Sequence, residues 1–298
     1  MIAVGEGAAP GKVILFGEHA VVYGHPAVVA PLDLGLRARV RLGGAATTIN
    51  APLLGAQHEA AIAGVRALAA HLGAGELAVE VSGDLPVAAG LGSSAALGVS
   101  VARAVADAQE RVVDHFALWS AAMALEEALH GRPSGVDVAA AVWARPLLFR
   151  RGSSPEIAPL TLLEPVWLVI ALTDEQRSTA QAVAALAERR ARAPGQVEGV
   201  LAQLGTLAAQ GAQLLERADR RGLGILFDEA HAHLAALGVS TPALDALCAK
   251  LRAAGALGAK LTGAGGGGAV IAVCEDPLAL VRAMRDQGVR CFSQVITP

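Results

Sequence analysis

Pro86-Val-Ala-Ala-Gly-Leu-Gly-Ser-Ser-Ala95 stands directly before an apolar pattern of helical spacing, Ser94–Gln109. Small residues let a backbone approach a ligand closely, and the free amides of a helix N-terminus point at an anion. The hydroxyls of Ser93 and Ser94 can bind phosphate oxygens or magnesium, a hard cation that prefers oxygen ligands. A glycine turn capped by serine has the same composition, so Gly and Ser content alone leaves both readings open. Two better-known phosphate motifs are excluded. A Walker A loop ending at Gly11-Lys12 has Glu6 where the first glycine belongs and Val13 where Ser or Thr belongs. A dinucleotide fingerprint can be read at Gly90-x-Gly92-x-x-Ala95, but Ser82 to Ala89 intervene where the glycine should follow its strand directly. The match Gly263-x-Gly265-x-x-Gly268 leads into a strand, not a helix.

Outward from that loop, strand-like runs precede it: Lys12–Phe16, Ala27–Ala30, Leu36–Leu42, a short one near Thr47–Asn50, and Leu77–Val81. Helical patterns cover Glu59–Leu72, Ser94–Gln109, His115–His130 and a short helix after Pro133-Ser134 through Val142. Pro146–Arg151 reads as a strand. The Ser- and Pro-rich segment Gly152–Pro165 marks a domain boundary, dividing the chain into residues 1–155 and 156–298. Beyond it come strand Val166–Leu172 and a helical region from Ser178, broken at Pro194-Gly195 and resuming to about Leu237. Thr241-Pro242 opens another helix, Thr as cap and Pro at the first helical position. Strand Ala259–Thr262, a glycine run, strand Ala269–Val273, helix Pro277–Gln287 and strand Val289–Ile296 complete the chain. Setting extra helices aside, the second half has the β-α-β-β-α-β order of a ferredoxin-like layer.

Three further stretches hold candidate chemistry. Thr262-Gly-Ala-Gly-Gly-Gly-Gly268 places four consecutive glycines between two strands. A hairpin needs only one or two, so close backbone contact with a ligand is the better explanation of a run so costly in chain entropy, with a floppy loop as the alternative. In Ala9-Pro-Gly-Lys-Val-Ile-Leu-Phe-Gly-Glu-His-Ala20, Lys12 opens an apolar strand and Glu18 and His19 close it. That arrangement suits a pocket rim or an ordinary solvated strand end. In Glu126-Glu-Ala-Leu-His-Gly-Arg-Pro-Ser-Gly-Val-Asp137, Glu126 and His130 share a helix face, and Glu127 faces solvent. Asp137 falls in the first turn of the next helix, where a carboxylate is favoured by the dipole whether or not it reacts. With Ser134 it fits a relaxed capping box.

Composition narrows the class. At 298 residues and 54% apolar, the chain can bury a large core, with Ala, Val and Leu filling it because aromatics are only 3%. The mean hydropathy is positive, yet no apolar run approaches the ~20 residues of a spanning helix, and Met1–Gly11 lacks the features of a signal peptide. No membrane association is expected. A net charge of −3 with scattered Lys and Arg argues against a nucleic-acid partner. Three cysteines without C-x-x-C spacing support neither zinc nor disulfides, and suit a reducing cytoplasm. His58, His71, His115, His231 and His233 show no metal-ligand spacing.

Together the four stretches resemble the GHMP small-molecule kinases, and within them the mevalonate kinases, from residue 9 to about 274. The Gly-Glu-His tripeptide at 17–19 and His130-Gly-Arg-Pro-Ser-Gly-Val-Asp137 resemble that branch, whereas the glycine loops mark only the superfamily. Ala88 departs from the family loop, which usually has glycine there. The resemblance implies an α+β fold of two domains, an N-terminal mixed α/β domain and a C-terminal ferredoxin-like one, with the active site in the cleft between them. It implies ATP and Mg2+ as cofactors, mevalonate as the small-molecule substrate, and a monomer or homodimer. Asp137 would be the catalytic base and Lys12 would stabilise the transferring phosphoryl. Glu126 and Ser94 would hold magnesium. Pro86, Ala89, Gly90, Leu91, Gly92, Ser93, Ser94 and Ala95 would form the nucleotide loop, joined by Thr262, Gly263, Ala264 and Gly265. Glu18 and His19 would contact mevalonate. Phosphomevalonate, homoserine or sugar kinases are close alternatives. A sensor that kept the fold without the chemistry is disfavoured by the joint presence of Lys12, Glu126 and Asp137, and an NAD-dependent oxidoreductase by the loop spacing.

Overall fold

The computed structural model describes residues 3–51, 54, 57–86, 89–175 and 179–298. The chain divides into two compact units that are discontinuous in sequence. Unit 1 gathers Met1–Lys12, Asp33–Val87 and Gly92–Ala144; unit 2 gathers Val13–Leu32, Ala88–Leu91 and Arg145–Pro298.

Strand β1 (Val4–Phe16) pairs with β2 (Pro26–Leu42). The two strands expected around Pro31 are thus one. Its Pro26–Val29 end pairs antiparallel with β5 (Leu147–Arg150), and its Leu36–Leu42 end with β4 (Leu77–Gly83). A proline between two apolar runs reads as a break, but here the two ends simply take different partners. Within unit 1, β3 (Thr48–Asn50) joins β4 in parallel.

Among the described residues four helices pack in unit 1: α1 (His58–His71), α2 (Ser93–Ala108), α3 (His115–His130) and α4 (Val136–Trp143). Helix α2 is buried on nearly every side from Ala95 onward, which its Ala, Val and Gly content allows. Small residues also bring elements together. A Cβ on Gly64 of α1 would lie 2.9 Å from Leu125 Cα of α3, and one on Gly7 of β1 would lie 2.2 Å from Ser100 O of α2. Arg103 then ties the layer, donating to Ala8 O at 2.6 Å and Val142 O at 2.8 Å.

In unit 2, β6 (Glu156–Pro159) pairs with β5, so the segment Gly152–Pro165 carries a strand. The expected ferredoxin-like layer is present. Strands β7 (Val166–Leu172), β8 (Gly258–Thr262), β9 (Ala269–Val273) and β10 (Arg290–Ile296) form an antiparallel sheet in the order β10-β7-β9-β8. The helices are α5 (Thr179–Arg192), α6 (Pro194–Glu216), α7 (Arg220–Ala236), α8 (Pro242–Ala253) and α9 (Pro277–Asp286). Ser178, the expected start of α5, lies outside the described residues.

The helical region expected to resume after Pro194-Gly195 and run to about Leu237 consists of two helices, α6 and α7. Ala218 turns left-handed (φ +53°), and the Asp219 side chain caps α7 by accepting from Gly222 N. Thr241 caps α8 as expected, accepting from Leu244 N. Helix α7 lies along the edge of β8 and takes its outward amides: Asp228 Oδ1 accepts from Ala259 N at 2.9 Å, and His231 Nδ1 from Leu261 N at 3.3 Å. Arg252 of α8 donates to Ala259 O. Among the described residues no helix is long and apolar enough to cross a membrane.

Candidate active site

The candidate phosphate loop ends where α2 begins. Gly92 is the N-cap, left-handed at φ +80°, and no side chain caps the helix, so no side chain competes for its first amides. Gly90 is also left-handed (φ +76°). Ala89 and Leu91 are buried, Gly90 is exposed, and Pro86, Ser93 and Ser94 are half-buried. Val87 and Ala88, the residue at which the chain departs from the family loop, lie outside the described residues. The arrangement is an anion-ready helix terminus rather than a serine-capped turn.

Lys12 and Asp137 meet in unit 1, Nζ to Oδ2 at 3.0 Å, the lysine side chain 4% and the aspartate 32% exposed. The Lys12 stem crosses Gly92, where a Cβ would stand 2.7 Å from its Cγ. Asp137 is aimed by the turn before it. Gly135, left-handed at φ +86°, is the N-cap of α4, and its carbonyl accepts from Trp119 Nε1 at 3.1 Å. A Cβ there would lie 2.7 Å from the Trp119 ring. The capping box expected of Ser134 and Asp137 is not formed: the helix starts one residue later, Ser134 Oγ accepts from Val136 N, and the carboxylate turns to Lys12.

Glu126 is buried at 4% exposure, and its Oε1 has no hydrogen-bond partner. Burial first, then the Asp137 charge, pushes its carboxyl up to about 7; a hydrogen bond from Ser94 and the Lys12 charge oppose the rise. Ser94 Oγ also meets His130 Nε2 at 3.2 Å. Burial lowers the His130 pKa, with Asp137 opposing. Glu126 and His130, expected on one helix face, therefore converge on Ser94, while Glu127 is exposed as expected. Among the described residues no group of three His, Cys, Asp or Glu could hold a metal. Magnesium needs no such cage, since one or two carboxylates with phosphate and water suffice. The orphaned Glu126 oxygen beside a hydroxyl fits that donor set.

In unit 2, Glu18 and Lys260 form an ion pair with both side chains fully buried. Lys260 Nζ also donates to Leu261 O and lies 5.8 Å above the Phe227 ring. Burial lowers the lysine's pKa and Glu18 opposes that. His19 is buried, its φ is positive at +60°, and its Nε2 meets Ala264 O at 2.9 Å. Thr262 Oγ1 accepts from Ile14 N and donates to Ile14 O. Gly263 and Gly265–Gly268 all have positive φ, which explains the glycine run. That run lies against the first loop: a Cβ on Gly263 would be 3.5 Å from Gly90 O, and one on Gly268 3.1 Å from Ala89 O.

Three residues here carry no weight in the sequence reading. His130 and Trp119 position Ser94 and the Asp137 turn; the four-residue spacing of Glu126 and His130 put the histidine on the right face without giving it this part, and nothing in the spacing of Trp119 signals its own. Lys260 had a signal: a lysine inside an apolar strand is buried only with a partner.

Residues 59–145 match the family described as the GHMP kinases N terminal domain, and residues 212–290 that described as GHMP kinases C terminal. A mevalonate kinase of Aeropyrum pernix is 36% identical over 268 residues, covering 83% of this chain and 82% of its own. One from Archaeoglobus fulgidus is 32% identical over 252 residues, covering 83% and 85%. The crystal structure of L. major mevalonate kinase in complex with R-mevalonate superposes with a TM-score of 0.85 at 26% identity, covering 100% of this chain and 96% of that one.

Proposed function

The chain belongs to the GHMP kinase family, among the mevalonate kinases, and from that premise we propose that it transfers the γ-phosphoryl group of ATP to the terminal hydroxyl of mevalonate. The observation that carries the reading is the Lys12–Asp137 pair, a buried amine 3.0 Å from a partly exposed carboxylate. Phosphoryl transfer asks a protein chiefly for positioning and charge stabilisation. In this reading Asp137 accepts the proton of the acceptor hydroxyl. Lys12 holds the hydroxyl oxygen and stabilises charge developing on the transferring group.

The amides of Gly90–Ser93 cradle the phosphates, with Pro86, Ala89, Leu91 and Ala95 shaping the loop and the Thr262–Gly265 backbone lying against Gly90. Thr262 spends its hydroxyl on Ile14, so its part is a backbone one. Glu126 and Ser94 are the residues that would hold magnesium, for which the unpartnered Glu126 oxygen is the support. When bound, the ion neutralises phosphate charge. Of the proposed acceptor contacts, Glu18 is wholly buried against Lys260, and its influence on a substrate passes through that pair. The three cysteines are free and buried, in keeping with a reducing cytoplasm.

A coupled ADP-release assay with Mg-ATP across mevalonate, phosphomevalonate, homoserine and galactose tests the proposal. Turnover with mevalonate is expected. Turnover with another acceptor and none with mevalonate would overturn it.

A further inference from the structure

Segment 14–19 and segment 260–264 of unit 2, far apart in sequence, are joined by three side-chain links. Thr262 Oγ1 bonds both backbone groups of Ile14, Glu18 pairs with Lys260, and His19 bonds Ala264 O. The first two fasten β8, the strand entering the glycine run. Only the third reaches the run itself. A carbonyl can only accept, so His19 Nε2 is the donor. His19 holds this bond from a positive-φ backbone outside the left-handed helical well, φ +60° and ψ −44°, a conformation that persists in a non-glycine residue only where its surroundings over-determine it. Ala264 is flanked by Gly263 and Gly265, both left-handed. Neither can stiffen the loop by itself. Gly263 in turn abuts Gly90.

We infer that His19 is a positioning residue for the nucleotide: through its bond to Ala264 O it fixes the start of the glycine run, Gly263–Gly265, against the Gly90 loop, the far end being held by Gly266 N to Val239 O and Gly268 N to Glu175 O, so that it sets ATP affinity even before any acceptor is bound. This inference rests on the proposed ATP-dependent function. It differs from the acceptor contact that the resemblance implies, because it acts in the absence of mevalonate.

The test is calorimetric binding of magnesium and a non-hydrolysable ATP analogue to the full chain, without mevalonate. Gln places an amide N–H where Nε2 stands, whereas Asn is too short to reach the carbonyl. H19N is expected to raise Kd about five- to tenfold, the size of one lost hydrogen bond, and H19Q to stay within about twofold. Should a buried Asn lower the melting temperature sharply, H19L replaces it as the variant without a donor. If the parent binds the analogue and H19N and H19L bind it equally well, the inference is wrong while the functional reading stands. If the parent does not bind it, both fall.

Discussion

Gly92 and Lys12 are in mutual contact: the lysine stem runs over the glycine's α carbon, and a methyl group there would stand 2.7 Å from Cγ and 3.1 Å from Cε. Gly92 is also left-handed at φ +80°. One glycine thus starts α2 and clears the path by which the amine reaches Asp137. G92A should cost roughly 1 kcal/mol of stability from backbone strain. Its turnover should fall at least about tenfold, since small misplacements of a reacting group are costly. Melting temperature and kcat, measured together, separate the two effects; intact turnover would show that the contact is incidental.

The Lys12–Asp137 pair predicts a matched loss. K12M and D137N should each lower kcat by roughly 100- to 10,000-fold, with nucleotide Kd changed only a few-fold. The milder loss is expected for D137N. Unaltered turnover in D137N would remove Asp137 as the base.

Glu126 gives a stability signature opposite to that of most acids. Its carboxyl sits near 7 in the fold but at about 4.3 in an unfolded chain. The unfolded state therefore loses its proton first as pH rises. Metal-free stability from this group is full below about pH 4.3 and declines toward pH 7. E126Q removes the penalty, so the metal-free variant should be more stable than the parent at pH 8 by roughly 1–3 kcal/mol, while its magnesium-dependent turnover collapses. Denaturant melts at pH 5 and 8 decide it: a variant less stable than the parent at pH 8 contradicts the prediction.

His231 works in the other direction. Burial lowers its pKa, as do Lys260 and Arg252, while Asp245 raises it. The ring accepts from Leu261 N through Nδ1 and meets Asp245 Oδ1 through Nε2 at 3.1 Å, a pairing that requires the neutral form. Stability is therefore full above the unfolded value of about 6.5 and is lost as pH falls below it. His19 and His130, also lowered by burial, add to the same slope. H231Q should lose about 1 kcal/mol at pH 8 with the amide bond and show a shallower decline of melting temperature between pH 7 and 5.5. An unchanged slope would assign the acid sensitivity elsewhere.

Much of this was legible in the chain, and the rest fails for physical reasons. Strands β7, β8, β9 and β10 and the Thr241 cap follow from local pattern, because periodicity and capping are set by neighbours in sequence. Pro31 hides the continuity of β2, since pairing with β4 and β5 is a long-range property. The break at Ala218–Asp219 is a single cap inside a long Ala- and Leu-rich periodicity. At the site, residue types pointed to Lys12, Ser94, Glu126 and Asp137. Their convergence, and the part of His130, Trp119 and Lys260, depends on tertiary packing that spacing does not encode.

Helix α7 has a consequence beyond the chemistry. Strand β8 ends its sheet, and an open terminal strand is a template on which a peptide or second copy can extend. Asp228, His231 and Arg252 already occupy the outward groups of Ala259 and Leu261, so growth from that side would first have to displace three side chains.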